Sequence, residues 1–169
     1  DFSGTKFSQK AGFSWATFIE TAYFSRVNFT QKADFSWATF TQTAYFDRAR
    51  FFQTADFSWA NFFQTGDFRG GTFIQNANFS SATFKKHSPH FVATAHGKSG
   101  KAYRARFAAL SEKQPAHNFT VHEDSRPILL GETELDNIKY NLPTGTVLFD
   151  PDSWDEEKKE YTRVSEPAK

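Results

Sequence analysis

The chain has no cysteine and no methionine, even at position 1. Without cysteine it can form no disulfide and perform no thiolate chemistry. The missing methionine at position 1 predicts a fragment or a processed chain. The apolar runs are far shorter than the roughly 20 residues of a membrane span, and no signal-peptide pattern opens the chain. These absences leave the compartment open, with the cytoplasm slightly favoured.

An excess of one charge is also lacking. The formal net charge is +1, and neither half departs far from neutrality. Residues 1–86 hold nine Lys and Arg against six Asp and Glu, and residues 87–169 hold eleven against thirteen. Nucleic-acid binding requires a basic footprint, and neither half shows one. We therefore expect protein partners and no nucleic-acid partner.

What the sequence does contain is a ladder of phenylalanines spaced alternately by 5 and 6 residues. No helix or simple strand repeats in this way, and a fixed period indicates a repeat architecture whose units stack on one another. The ladder consists of Phe2, Phe7, Phe13, Phe18, Phe24, Phe29, Phe35, Phe40, Phe46, Phe51, Phe57, Phe62, Phe68, Phe73, Phe79 and Phe84.

A small residue precedes most ladder phenylalanines by two positions. On an extended chain, residues i−2 and i point to the same side, so each small residue is expected inside beside its phenylalanine. A longer period of 22 residues is marked by Trp15, Trp37 and Trp59 and by Tyr23 and Tyr45. One coil should therefore hold 22 residues, with identical side chains stacked about 4.8 Å apart.

These units resemble the pentapeptide-repeat family, whose pattern is A-(D/N)-(L/F)-x-x. The segment Ala33-Asp34-Phe35-Ser36-Trp37 fits that pattern, and Ala38-Thr39-Phe40 follows it. The resemblance implies a mainly all-β fold, a right-handed quadrilateral β-helix of about four coils over residues 1–86. Alternate units hold six residues, which departs from the family pattern. With no cap before Phe2, we expect the rod to continue N-terminally, and open coil ends offer a surface for self-association.

The second half resembles no family that we recognise. We expect a linker over residues 87–101 and a small α+β cap or appended domain over residues 102–169. Helical spacing predicts an amphipathic helix over residues 102–112. Short strands are predicted at 119–122 and 127–130, and a hairpin at 138–149 that turns at 143–145.

Few residues suggest chemistry. His87 and His90 could bind a metal, but no carboxylate or cysteine completes a ligand set. His117 and His122, near Glu123 and Asp124, could form an acid–base pair, although polar surface is the simpler interpretation. Residues 97–101 (GKSGK) lack the order of a phosphate loop, and the acidic residues from Asp150 to Glu157 lack that of a calcium loop. We predict no catalytic residue, no cofactor and no metal.

The remaining candidates are outward-facing aromatic residues of the coil. Exposed aromatic patches mark binding surfaces, so a stripe of these residues could dock a protein or stack sugars. Alternatively, identical rings simply pack on one another along the repeat. The candidate partner-binding stripe consists of Trp15, Trp37, Trp59, Tyr23 and Tyr45.

The first functional hypothesis is a non-enzymatic scaffold, a rigid rod that docks a protein partner or belongs to a larger assembly. A second follows from the resemblance, since some family members bind type II topoisomerases by mimicking DNA. The charge of residues 1–86 opposes it, because a mimic of a polyanion needs clustered carboxylates. A third hypothesis is a small enzyme or toxin domain in residues 87–169, with the coil as a docking arm.

Overall fold

A computed structural model describes residues 1–93 and 102–169. Residues 1–86 contain fifteen strands of two residues each. In chain order these are β1 (Lys6–Phe7), β2 (Ala11–Gly12), β3 (Thr17–Phe18), β4 (Ala22–Tyr23), β5 (Asn28–Phe29), β6 (Ala33–Asp34), β7 (Thr39–Phe40), β8 (Ala44–Tyr45), β9 (Arg50–Phe51), β10 (Ala55–Asp56), β11 (Asn61–Phe62), β12 (Gly66–Asp67), β13 (Thr72–Phe73), β14 (Ala77–Asn78) and β15 (Thr83–Phe84).

Every fourth strand belongs to the same parallel sheet, which makes a solenoid with four faces. Face 1 contains β1, β5, β9 and β13, face 2 contains β2, β6, β10 and β14, face 3 contains β3, β7, β11 and β15, and face 4 contains β4, β8 and β12. Paired residues lie 22 positions apart, as in Phe7 opposite Phe29 and Ala55 opposite Ala77. The predicted coil of 22 residues and the four-faced solenoid are confirmed.

The ladder phenylalanines fill the inside of the solenoid. From Phe24 to Phe84 each is at most 1% exposed. Rings of one face stack on their counterparts in the next coil, as in Phe35 on Phe57 at 5.1 Å, and meet rings of other faces edge-on, as in Phe35 on Phe46 at 5.1 Å. Offset-stacked and edge-to-face pairs are the arrangements that aromatic rings prefer. In the first coil, the four phenylalanines are half-buried.

The alternation of five and six residues reflects two kinds of corner. Each five-residue unit contains a tight turn closed by a backbone hydrogen bond, such as Ala38 N to Phe35 O at 3.1 Å. The third residue of that four-residue turn has positive φ, as at Trp37 with φ 60°. Such residues recur every 11 positions, at Gly4, Trp15, Arg26, Trp37, Arg48, Trp59, Gly70 and Ser81. Positive φ at the third turn position is the mark of a type II turn, and the six-residue units form the wider corners.

The described part of the second half has short strands and one 3-10 helical turn. In chain order they are β16 (Val92–Ala93), β17 (Tyr103–Arg104), β18 (Arg106–Ala108), β19 (Leu130–Leu135), β20 (Ile138–Pro143), β21 (Val147–Phe149), the 3-10 helix (Pro151–Ser153), β22 (Trp154–Asp155) and β23 (Glu160–Tyr161). The helix predicted over residues 102–112 was wrong. That segment supplies β17 and β18 instead, because Phe107 occupies a core position above Phe73.

Parts of the second half continue the stacking of the solenoid. β18 joins face 1 beside β13, and β21 joins it beside β18. Phe91 stacks on Phe68 at 5.5 Å, Phe107 on Phe73 at 4.8 Å, and Phe119 on Phe79 at 6.1 Å. Three of the four stacks of phenylalanine rings inside the solenoid are therefore extended by one ring each. How residues 87–169 divide into linker and appended region stays a prediction.

The hairpin of the second half differs from the prediction in its turn. β19 pairs antiparallel with β20, and the chain reverses at Asp136 and Asn137. Both residues have positive φ, 56° and 62°, as a two-residue type I′ hairpin turn requires. β21 does not pair with β20 but lies parallel to β18. At 119–122 no strand forms, although Asn118 makes a parallel bridge to Asn78.

Candidate interaction surfaces

The three tryptophans form a stacked column at the corner between faces 2 and 3, here called the tryptophan ladder. The rings of Trp15 and Trp37 lie 4.7 Å apart with an interplanar angle of 4°, and those of Trp37 and Trp59 lie 4.8 Å apart at 2°. Their exposed fractions are 70%, 39% and 42% for Trp15, Trp37 and Trp59. The ladder is thus a flat apolar strip that follows the long axis of the solenoid.

The backbone of the ladder is left-handed at each tryptophan, with φ of 59–62°. A left-handed conformation costs a residue with a Cβ about 1–2 kcal/mol, and glycine avoids that cost. Gly4 and Gly70 occupy the matching position in the other tight corner, between faces 4 and 1. Glycine is therefore compatible with this turn.

The two tyrosines lie elsewhere on the solenoid. Tyr23 and Tyr45 stack at 5.4 Å and 9° on face 4, at the second residue of β4 and of β8. Face 3 separates them from the tryptophan ladder along the chain. The next residue of their column is Asp67, which is buried and forms an ion pair with Arg69. The predicted stripe thus consists of two separate ladders, and whether either binds a partner stays a prediction.

The second half reaches one end of the tryptophan ladder. The ring of His122 lies 6.2 Å from that of Trp59, and its Nδ1 lies 3.7 Å from the Asp124 carboxylate. His117 lies elsewhere, with both ring nitrogens engaged by the backbone. Ala77 N donates to Nδ1 at 3.1 Å, and Nε2 donates to Ala108 O at 2.9 Å. Neither nitrogen is free to exchange a proton with a substrate.

Burial lowers the pKa of His117 to about 4, although its hydrogen bond to the Ala108 carbonyl opposes this. The imidazole is therefore neutral at pH 7 and joins the last regular coil to the second half. Within residues 1–93 and 102–169, no group of three or more His, Cys, Asp or Glu side chains is placed to hold a metal. His96 and the segment 97–101 lie outside the described residues. Asp150, in the acidic region, accepts from Asp152 N and pairs with Arg163.

A cleft on face 1 was missed by sequence reasoning. Four half-buried arginines line it, and we call it the arginine cleft: Arg48, Arg50, Arg104 and Arg106. Its volume is about 560 Å³. The signal was present as the segment Arg-Ala-Arg-Phe, which occurs at residues 48–51 and again at 104–107. In both copies alanine stands two positions before phenylalanine, as in the coil repeat. The second copy lies within residues 102–112, for which helical spacing predicted a helix.

Comparison with known proteins supports the repeat assignment. The family described as pentapeptide repeats (9 copies) matches residues 1–39, and the same spacing of phenylalanines continues to Phe84. No curated protein and no solved structure matches the chain. The described part of the chain has no helix long and apolar enough to cross a membrane.

Proposed function

We propose that this chain, whose first half is a pentapeptide-repeat solenoid, is a non-enzymatic scaffold that docks a protein partner on its tryptophan ladder. The observation that carries the proposal is the ladder itself, with three indoles stacked at 4.7 and 4.8 Å on an exposed corner. Tryptophan is enriched among the residues that dominate binding energy at protein interfaces. Because the phenylalanine core fixes the backbone beneath them, the rings lose little freedom when a partner binds.

The left-handed turn at each tryptophan has a cost that stacking offsets in part. Three left-handed tryptophans cost about 3–6 kcal/mol in backbone conformation. Their two stacked pairs contribute about 1–3 kcal/mol beyond the area that they bury. Glycine at the same turn would avoid the cost, as it does at Gly4 and Gly70. Arg26, Arg48 and Ser81 are also left-handed at equivalent corners, so the stacked indoles, and not the turn, are what distinguishes these three corners.

The other two hypotheses have less support. A DNA mimic needs clustered negative charge, whereas the most concentrated charge on face 1 is the positive set of the arginine cleft. An acid–base pair of His117 and His122 is opposed by the two backbone hydrogen bonds that occupy His117. Partner docking is thus the function that the described surfaces support best.

The test is a comparison of three baits in a lysate of the host. The wild-type chain is compared with Trp37→Ala/Trp59→Ala and with Tyr23→Ala/Tyr45→Ala, which removes two stacked rings from the other ladder. We expect a partner captured by the wild type to be lost from the tryptophan variant and kept by the tyrosine variant. Binding of the purified partner to each bait then gives the change in affinity. Equal capture by all three baits, or no capture by any, would contradict the proposal.

A further variant separates docking from folding. Trp37→Gly removes the central ring and relieves a left-handed residue, so the two effects on stability oppose each other. We expect its free energy of unfolding to lie within about 2 kcal/mol of the wild type, with partner binding reduced at least tenfold. A loss of stability well beyond that range, with unchanged binding, would assign the ladder to the fold instead.

A further inference from the structure

The arginine cleft arises from two matching arginine rows with a row of small residues between them. Arg50 and Arg106 each pair in register with Thr72, one from the preceding coil and one from the following coil. Gly70 lies between Arg48 and Tyr103, and a Cβ built on it would lie 3.2 Å from Arg48 Cγ. Strands in a sheet are about 4.8 Å apart, so the two arginine rows are about 10 Å apart. The gap between them forms the floor of the cleft.

The lining of the cleft is basic and lacks acidic residues. Of its ten lining residues, five are arginine or lysine and none is Asp or Glu. The nearby hairpin of β22 and β23 is acidic, but Asp155 and Glu156 pair with Lys158 and Lys159. Among the described residues, none of the four cleft arginines forms an ion pair with a carboxylate. Their charges are therefore left for another group to neutralise.

Two of the arginines face each other across this gap, each with part of its side chain buried. Arg50 Nε is buried and has no hydrogen-bond partner in the described part of the chain. Burial lowers the pKa of Arg106, and the positive charge of Arg50 lowers it further. Like charges on the two sides of the cleft repel one another, and a buried donor without an acceptor is unfavourable. A bound anion would relieve both conditions.

Aromatic rings fix the orientation of the guanidinium groups. The Arg48 guanidinium lies 4.4 Å from the centre of the Tyr103 ring, and that of Arg50 lies 5.6 Å from the Trp154 ring. Arg106 lies 5.5 Å from the Tyr161 ring, and its Nε donates to Thr72 Oγ1 at 2.9 Å. Arginines held in this way can present paired donors to an oxyanion with little further loss of freedom.

We propose that the arginine cleft is a binding site for a small phosphorylated molecule that carries at least two phosphoryl groups. Guanidinium groups match phosphate oxygens with paired hydrogen bonds. Four such groups on two sides of a gap of about 10 Å suit an anion with several oxygens better than a single carboxylate. The cleft is concave, walled by the β22–β23 hairpin, and its volume of about 560 Å³ suits a ligand of nucleotide size. This proposal is independent of partner docking at the tryptophan ladder.

The test is calorimetric titration of the full chain with inorganic pyrophosphate. Arg48→Gln removes a charge from the cleft. Arg26→Gln is its matched control, because Arg26 holds the same turn position one coil earlier, with φ 57° against 55° for Arg48, and does not line the cleft. We expect Arg48→Gln to bind pyrophosphate at least about tenfold more weakly than the wild type, and Arg26→Gln to bind it equally well.

Further arms make each outcome decisive. Arg104→Gln is a second cleft variant from the following arginine row and should show the same loss, with thermal unfolding to confirm that both variants fold. Citrate tests the ligand class, since it offers three carboxylates and no phosphate. Absence of pyrophosphate binding to the wild type, an equal loss in Arg26→Gln, or citrate binding as tight as that of pyrophosphate would each overturn the proposal.

Discussion

At the scale of single residues, His117 makes the stability of the protein depend on pH. Its pKa is lowered to about 4 by burial, whereas an unfolded chain binds a proton on histidine at about pH 6.5. The unfolded state therefore binds the proton first as the pH falls, and folding becomes less favourable. Well above pH 6.5 neither state is protonated, so the contribution is complete there.

We expect the free energy of unfolding to fall by about 1.5 kcal/mol between pH 6.5 and pH 5 through His117 alone. This window lies above the range in which most carboxylates titrate. Urea denaturation at several pH values measures it. His117→Gln should remove this part of the pH dependence, whereas His87→Gln, at an exposed position, should keep it. Equal pH dependence of the wild type and His117→Gln would contradict the assignment.

Single residues also show what the sequence alone could and could not predict. The inward phenylalanines follow from their period, and the corner position of Trp37 follows from its place two residues after Phe35. The arginine cleft does not follow in the same way. It depends on Gly70 and Thr72 interrupting an arginine column between Arg48 and Arg104. Arg48 and Arg104 are 56 positions apart, and they line the same cleft only because the fifth coil departs from the 22-residue period.

At the scale of elements, β18 shows two patterns in conflict. Residues 102–112 have apolar side chains at helical spacing, but they also contain Ala105-Arg106-Phe107, a small residue two positions before a phenylalanine. The second pattern wins because Phe107 stacks on Phe73 at 4.8 Å and closes the core, which a helix on the surface would leave open. The hairpin was predicted at the wrong turn. Asp136 and Asn137 form its turn, whereas the Pro-Thr-Gly segment that was expected to turn lies at the end of β20.

Ala105→Leu tests this arrangement. Ala105 is fully buried beside the added core ring, so extra methylene groups should overpack the coil and destabilise it by about 1–3 kcal/mol. On the polar side of a helix the same change would be nearly neutral. Ala116→Leu, at an exposed position, is the matched control. Chemical denaturation measures both, and equal stability of Ala105→Leu and the wild type would contradict the inward position of Ala105.

At the scale of the whole molecule, the period of 22 residues makes length adjustable in units of one coil. Deletion of residues 35–56 joins Asp34 to Phe57, which restores the sequence Asp-Phe-Ser-Trp-Ala across the junction. Each core phenylalanine after the junction then stacks on a phenylalanine of the same face in the preceding coil. We expect this variant to fold cooperatively, because stability in a solenoid comes from each coil and its neighbours.

Its urea m-value should fall by about an eighth, in proportion to the shortened chain. The control is deletion of residues 35–39, which also joins Asp34 to a phenylalanine but rotates the following coils by one face and breaks the alternation of five and six. That variant should lose the cooperative transition. Circular dichroism and denaturation distinguish the two, and similar unfolding of both would contradict a strict register between coils.

The tryptophan ladder has an optical consequence. Parallel indoles at 4.7 and 4.8 Å are close enough for their electronic transitions to couple. An excitation is then delocalised over the stacked rings. The far-ultraviolet circular dichroism of the chain should therefore carry a split exciton band whose intensity depends on the number of rings in contact. The fourth tryptophan, Trp154, lies apart from the column in the lining of the arginine cleft. The protein thus carries two separate chromophores, one in the stacked coils and one in the wall of the cleft.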